Sequence, residues 1–299
     1  MDDKWLHLNY HHLLYFALVV QEGGLVPAAN RLGISHPTVS EQVKKLEAQL
    51  GLRLFERRGR RLQLTEAGRV VYRHARELFG VGAALVEAVE AWRGGRTVLG
   101  RIGIDSVLAK LVVRRVLAPV LDGLGDALHL RCVEEGRDEL LQELQARHLE
   151  VVLSDASSGA APEGLRTRQL DSSEIAFFAA PRLIDQLEGP FPGCLENAPF
   201  LLPLALTRLR RELERWLGER RIQPRIVGEI ADSGLLKALG QDGRGVFAMP
   251  ASVASEIEHQ YDVRMLGLAD GLEARVFAVT TAAAEDHPVV RQLFDERSP

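Results

Sequence analysis

Two runs near the N-terminus carry side chains suited to reading a nucleic acid. The first is Ser35, His36, Pro37, Thr38, Ser40, Glu41 and Lys44, which gathers hydroxyls, an imidazole, a carboxylate and an ammonium. Hydroxyls bond base edges or phosphates, and a proline ring can pack on a thymine methyl. The second is Arg57-Arg58-Gly59-Arg60-Arg61, four guanidinium groups around one glycine. Guanidinium suits phosphates and narrow minor grooves, where the negative potential favours arginine. The bland alternative for this run is a solvated basic turn. Its place directly behind the first run argues against that.

The surrounding residues supply elements to hold both runs. Asn9 to Glu22 reads as a helix with Leu13, Phe16, Ala17 and Val20 on one face, ended by Gly23-Gly24. A short helix spans Pro27 to Leu32, and Gly33 breaks it. Ser35 stands where an N-cap belongs, and Val39, Val43, Leu46 and Leu50 then form one apolar stripe. Two short helices about a glycine turn predict a helix-turn-helix whose second helix presents its N-terminal end to the major groove. Leu52 to Thr65 predicts a hairpin with the arginines at its tip. From Thr65 to Trp92 a long helix follows, with Val71, Ala75, Leu78, Gly82, Leu85, Val89 and Trp92 at alternating spacings of four and three. Such a seam pairs with a second copy, or simply docks on its own domain. Gly94-Gly95 ends the helix.

Charge divides the chain in the same way. From Lys4 to Arg76 there are 12 Lys and Arg against 5 Asp and Glu, an excess of seven positive charges. With −4 for all 299 residues, the remainder carries −11. A basic head on an acidic body points to a polyanion partner for the head alone. Hydrophobic residues at 46 % and charged residues at 26 % fit a globular chain. No apolar run reaches membrane-spanning length, and Met1-Asp2-Asp3-Lys4-Trp5 lacks the build of a secretory signal, so a cytoplasmic protein is expected. Cys132 and Cys194 read as buried thiols, with neither disulfide nor metal site expected.

Beyond Leu99 strands and helices alternate. Strands are expected at 101–105, 128–133, 149–153, 200–202, 225–228 and 275–280, with helices at 108–121, 138–146 and 287–294. This predicts parallel sheet with helices on both faces, in two subdomains between which the chain crosses twice. Ligands in such folds sit beyond the carboxyl ends of strands. The residues there are Asp105, Ser106, Glu134, Glu135, Ser154, Asp155, Leu202, Pro203, Asp232 and Ser233. Their carboxylates read in two ways: as ordinary helix caps, or as a cleft with a negative field suited to a cation or neutral ligand.

Other signals are weak. His7, His11 and His12 sit at helical spacing without further ligands, and Gly123-Leu124-Gly125 lacks the third glycine of a dinucleotide fingerprint. Arg208, Arg210, Arg211, Arg215, Arg220 and Arg221 alternate with Glu as a solvated helix face does. No nucleophile, metal or cofactor constellation suggests an enzyme. A solute-binding protein would leave the basic head unexplained.

Ala28-Ala29-Asn30-Arg31-Leu32, Ser35-His36-Pro37-Thr38-Val39-Ser40, Leu46-Glu47, Leu50-Gly51, Leu54-Phe55-Glu56-Arg57 and Leu64-Thr65-Glu66-Ala67-Gly68 resemble the LysR-type transcriptional regulators. This chain departs at Val26, where the family has a hydroxyl capping the first motif helix, and at His36 and Glu41 in the recognition helix. Leu128 to Glu134, Phe191 to Glu196, Arg225 to Glu229 and Asp232 to Gly240 are similar to the NhaR branch, as is Leu8-Asn9-Tyr10-His11-His12-Leu13. That branch comprises sodium- and pH-responsive regulators of sodium/proton antiporter genes. The resemblance implies a winged helix-turn-helix DNA-binding domain (4–64), a dimerisation linker helix (65–93) and a periplasmic-binding-protein-like α/β effector-binding domain (97–299). Within the last, subdomain one takes about 97–170 and 273–299, and subdomain two about 171–272. The expected partners are double-stranded operator DNA, a second copy of the chain as homodimer or dimer of dimers, a small effector or cation such as sodium, and RNA polymerase.

Overall fold

A computed structural model describes residues 7–58, 61–95, 98–156, 164–205 and 207–295. The chain forms two compact units, a head mainly of residues 1–89 and a body mainly of residues 90–299.

The head opens with α1 (Tyr10–Gln21), capped by Asn9, whose side chain accepts from the backbone N–H groups of His11 and His12 at 3.0 and 3.2 Å. Next come α2 (Leu25–Leu32) and α3 (His36–Leu50). Between them Gly33 takes φ +66°, a left-handed turn in which a side chain would be strained. Helix α2 begins two residues earlier than Pro27, with Gly24 as its N-cap. Val26 therefore lies inside the helix and exposed, not at the cap position. Strands β1 (Phe55–Arg58) and β2 (Arg61–Leu64) form the wing, with Phe55 opposite Leu64. Helix α4 (Glu66–Arg93) follows, its first turn capped by the Thr65 hydroxyl, which accepts from Gly68 N–H at 2.9 Å. A Cβ on Gly68 would run into the Leu54 carbonyl, so only glycine lets α4 lie this close to the wing. Phe16, Ala28, Val39, Leu46, Leu54 and Ala75 fill the head's core.

The body runs β3 (Val98–Asp105), α5 (Lys110–Leu124), β4 (Leu128–Glu135), α6 (Arg137–Gln145), β5 (Val151–Ser154) and β6 (Leu165–Ala179). It continues with α7 (Pro181–Ile184), β7 (Pro199–Pro203), α8 (Arg208–Glu219), β8 (Arg225–Ile230) and α9 (Ser233–Gln241). Last are β9 (Phe247–Pro250), α10 (Ala254–Tyr261), β10 (Arg264–Thr281) and α11 (Pro288–Asp295). One sheet has the order β4-β3-β5-β10-β6-β9, and β7 pairs with β8 beside it. The parallel pairs β3–β4, β3–β5 and β7–β8 match the alternating pattern. The main sheet is nevertheless mixed, because the long strands β6 and β10 are antiparallel to each other. These two are the crossings between subdomains, and each carries its apolar run in its final stretch, Ile175 to Ala179 in β6 and Val276 to Val279 in β10.

The centre of the sheet holds a buried ion pair. Arg101 Nε donates to Glu150 Oε1 at 2.9 Å, and the Arg101 backbone N–H donates to Glu150 Oε2 at 2.6 Å. The Thr280 hydroxyl donates to the Glu150 carbonyl at 2.6 Å, joining β10 to the same knot. In the second subdomain Phe177 packs against Phe191, Phe200 and Trp216, with ring centroids 5.3 to 5.9 Å apart. Both cysteines are free: Cys194 is buried as expected, whereas Cys132 is exposed because it falls on the edge strand β4.

Candidate nucleic-acid interface and ligand cleft

Helix α3 is divided lengthwise. Val39, Val43 and Leu46 are buried, while His36, Pro37, Glu41 and Lys44 are exposed on the other side, with Thr38 and Ser40 half-buried. Residues 36, 40 and 44 share a face because of the helical repeat. Ser35 caps the helix, its Oγ accepting from Thr38 N–H at 3.4 Å, and the Ser35 and Thr38 hydroxyls lie 2.7 Å apart. Glu41 pairs with Lys45 at 2.8 Å. The hydrogen bond from Lys45, with its charge, holds that carboxylate below its usual range. Glu47, which the sequence marked only as a family position, has a structural task. Its Oε1 accepts from the N–H groups of Leu54 and Phe55 at 2.7 and 3.2 Å, which fixes where the wing leaves α3.

In the wing Arg57 lies opposite Leu62, and Arg58 opposite Arg61. Gly59 and Arg60 lie outside the described residues, as do the side chains of Arg57, Arg58 and Arg61.

The α4 seam splits in two. Val71 is half-buried and Ala75 fully buried, both in the head's own core. For these two positions the docked-helix alternative is what the structure shows. The reason is the close approach at Gly68, which turns the first turns of α4 toward Leu54 and Phe16. Farther along, Leu78, Gly82, Leu85, Val89 and Trp92 are exposed, Leu85 at 65 % and Trp92 at 73 %. Large apolar side chains so bare at regular spacing form an unpartnered stripe.

In the body, a cavity of about 110 Å³ opens where β5 and β7 end and α5, α8 and α9 begin. Three of the ten residues expected beyond the strand ends line it: Asp155, Pro203 and Ser233. The other seven are placed elsewhere. Asp105 is buried, accepting from the Ser154 hydroxyl at 2.7 Å and from Val107 N–H at 3.4 Å, so both side chains are used within the turn. Ser106 is exposed and donates its backbone N–H to the Glu135 carbonyl. Glu134 and Glu135 are exposed on the edge strand, and Glu134 is paired with Lys110. Leu202 sits in the aromatic core. Asp232 caps α9, accepting from Leu235 N–H at 2.7 Å. For Asp232 the cap explanation matches the hydrogen bonding.

Sequence reading missed Arg208, Glu212, Glu273 and Arg275 in the cavity wall. Arg208 Nε donates to Glu212 Oε1 at 2.7 Å, and Arg275 pairs with Glu273 at 3.1 Å. No local signal marks them, since α8 looks like a solvated charged helix and β10 is a crossing strand. Burial, and secondarily the neighbouring Asp105, push the Asp155 carboxyl above its ordinary range, against the opposing pull of Arg208 and Arg137.

Residues 10–69 match the family described as bacterial regulatory helix-turn-helix protein, lysR family, and residues 96–296 match the LysR substrate binding domain. The chain belongs to the LysR family: it is a DNA-binding transcriptional regulator with a substrate-binding domain. It is 31% identical over 289 residues to the transcriptional activator protein NhaR of Escherichia coli (strain K12), covering 96% of this chain and 94% of that one. Its fold is similar to full-length CbnR complexed with its target DNA, at TM-score 0.66 and 19% identity over 96% and 98% of the two chains. It is similar too to LysG from Corynebacterium glutamicum with bound effector Arg, at TM-score 0.58 and 20% identity over 96% and 98%. None of the described helices is long and apolar enough to cross a membrane.

Proposed function

We propose that the head reads a two-fold operator with α3 in the major groove and the wing on the backbone. In this reading Ser35, His36, Pro37, Thr38, Ser40, Glu41 and Lys44 meet bases and nearby phosphates. Arg57, Arg58, Arg60 and Arg61 neutralise phosphates. Residues 4–64 make up the reading domain, 65–93 pair two copies through the stripe from Leu78 to Trp92, and 97–299 hold the effector. The observation that carries this is the exposed polar side of α3, locked to the wing by Glu47. A gel shift of the full chain on the intergenic DNA beside its own gene, titrated with salt, tests it. Retardation that weakens steeply as salt rises is expected. Absence of retardation at low salt sinks the reading.

For the effector site, the cavity between α5, α8 and α9 is the place where ligand and subdomain closure would be coupled. Regulation of antiporter genes by sodium is a second reading, favoured by the likeness to NhaR. Its test is titration with sodium chloride against choline chloride at equal ionic strength, where equal heats would end it.

A further inference from the structure

Resting on the reading of this cavity as the effector site, we propose that its ligand is a small organic monocation, with an ammonium head on the Asp155 carboxylate and an apolar body against Leu108, Leu236, Met249 and Val276.

The polar groups of the wall are not equally available. Arg208 is committed to Glu212 and to the Asp155 carbonyl, and Arg275 to Glu273. Those pairs cancel. Asp155 takes part in no ion pair among the described residues, although the charges of Arg208 and Arg137 act on it. A desolvated, unpaired carboxylate is costly to keep and gains most from a charged hydrogen-bond donor. Ser233 Oγ, also in the wall, is buried without a hydrogen-bond partner. An orphaned hydroxyl and a carboxylate outside any ion pair, in a wall whose other charged groups are paired, are what a ligand would satisfy.

The rest of the wall excludes competitors. A carboxylate ligand would face Asp155 with both arginines already engaged. A bare sodium ion needs several oxygen ligands, whereas aliphatic and thioether side chains line most of this space, and no group of three or more His, Cys, Asp or Glu that could hold a metal occurs among the described residues. The size fits an organic body: about 110 Å³ is of the order of the roughly 150 Å³ apolar cavity that takes up benzene.

Isothermal titration of the full chain with benzylamine, benzyl alcohol and benzoate, at fixed ionic strength, tests the proposal. Benzylamine should bind roughly ten- to a hundred-fold more tightly than benzyl alcohol, and benzoate should bind least. In Asp155→Asn the amine and alcohol should bind alike. Ser233→Ala should weaken both while keeping the amine preferred, which maintains the test if the first variant folds poorly. No heat from benzylamine, a preference for benzoate, or a preference that survives Asp155→Asn would overturn it. The regulator reading fails separately: a chain that takes up benzylamine but never retards DNA keeps the ligand class and loses the regulator. One that retards DNA and ignores benzylamine does the reverse.

Discussion

The head and the body hold functional side chains by opposite means. In the head the candidates on α3 and its cap fall within ten residues and are exposed or half-buried, because the other side of α3 is packed on α1 and α2. Nothing need pair with them for the fold to stand. In the body the cavity is lined by residues from Val107 to Val276, and its charged groups are largely spent on one another. A helix face offers what its packing leaves exposed, a cleft offers the groups its own pairings leave over. The same contrast explains α4, whose first turns are consumed by the head and whose last turns are bare.

The contrast can be broken most forcefully at the buried pair of the body. Glu150→Leu removes the carboxylate that pairs with the buried Arg101 guanidinium and should cost about 3–5 kcal/mol in denaturant unfolding. The double variant Arg101→Met/Glu150→Leu should recover most of that, since removing both charges removes the desolvation cost. If the double variant is as unstable as the single one, packing and not charge pairing holds β3 to β5. No head variant on the α3 face should approach that loss. There the effect moves to recognition: Ser40→Ala should alter discrimination at one operator position by about 1–3 kcal/mol, read from gel shifts on a mutated operator series. Arg58→Ala should instead weaken all sequences alike and reduce the salt slope by about 1. A smaller effect belongs to Ser35→Ala, which removes the α3 cap and should lower stability by about 1 kcal/mol. Because Ser35 also meets Thr38, DNA affinity should fall further than that cost if the cap orients the reading face.

What could be read in advance follows this division. The head was legible because a 3.6-residue apolar period, a glycine stop and a serine cap are local facts; Gly33, Ser35 and Val39 each act where they stand. Val71 and Ala75 show the limit, for a heptad seam does not tell which neighbour covers it. In the body, strand ends were legible but register was not. Ser154 meets Asp105 because β5 runs beside β3 with Ile104 opposite Leu153. No spacing in the sequence separates that satisfied aspartate from Asp155, one residue past Ser154. Arg275 and Glu273 enter the cavity from a long antiparallel strand whose pairing partner is a hundred residues away.

Asp155→Asn offers the finest test of the comparison. Burial raises the Asp155 carboxyl above its ordinary range, so the folded chain holds that proton more tightly than the unfolded one does. Stability from this group is fully present below the unfolded value of about 4 and is lost as pH rises through the raised folded value. At pH 7 the ionised group therefore weighs against folding, and asparagine, which cannot ionise, removes that weight. The variant should melt slightly higher than the parent at pH 7, with the gain shrinking as pH falls toward about 4. An exposed head carboxylate such as Glu41, held below its usual range by Lys45, should show the reverse: Glu41→Gln should never melt higher than the parent at pH 7. If Asp155→Asn instead melts lower at pH 7, the carboxylate has a partner that stabilises it, and the cavity is not organised around an unpaired charge.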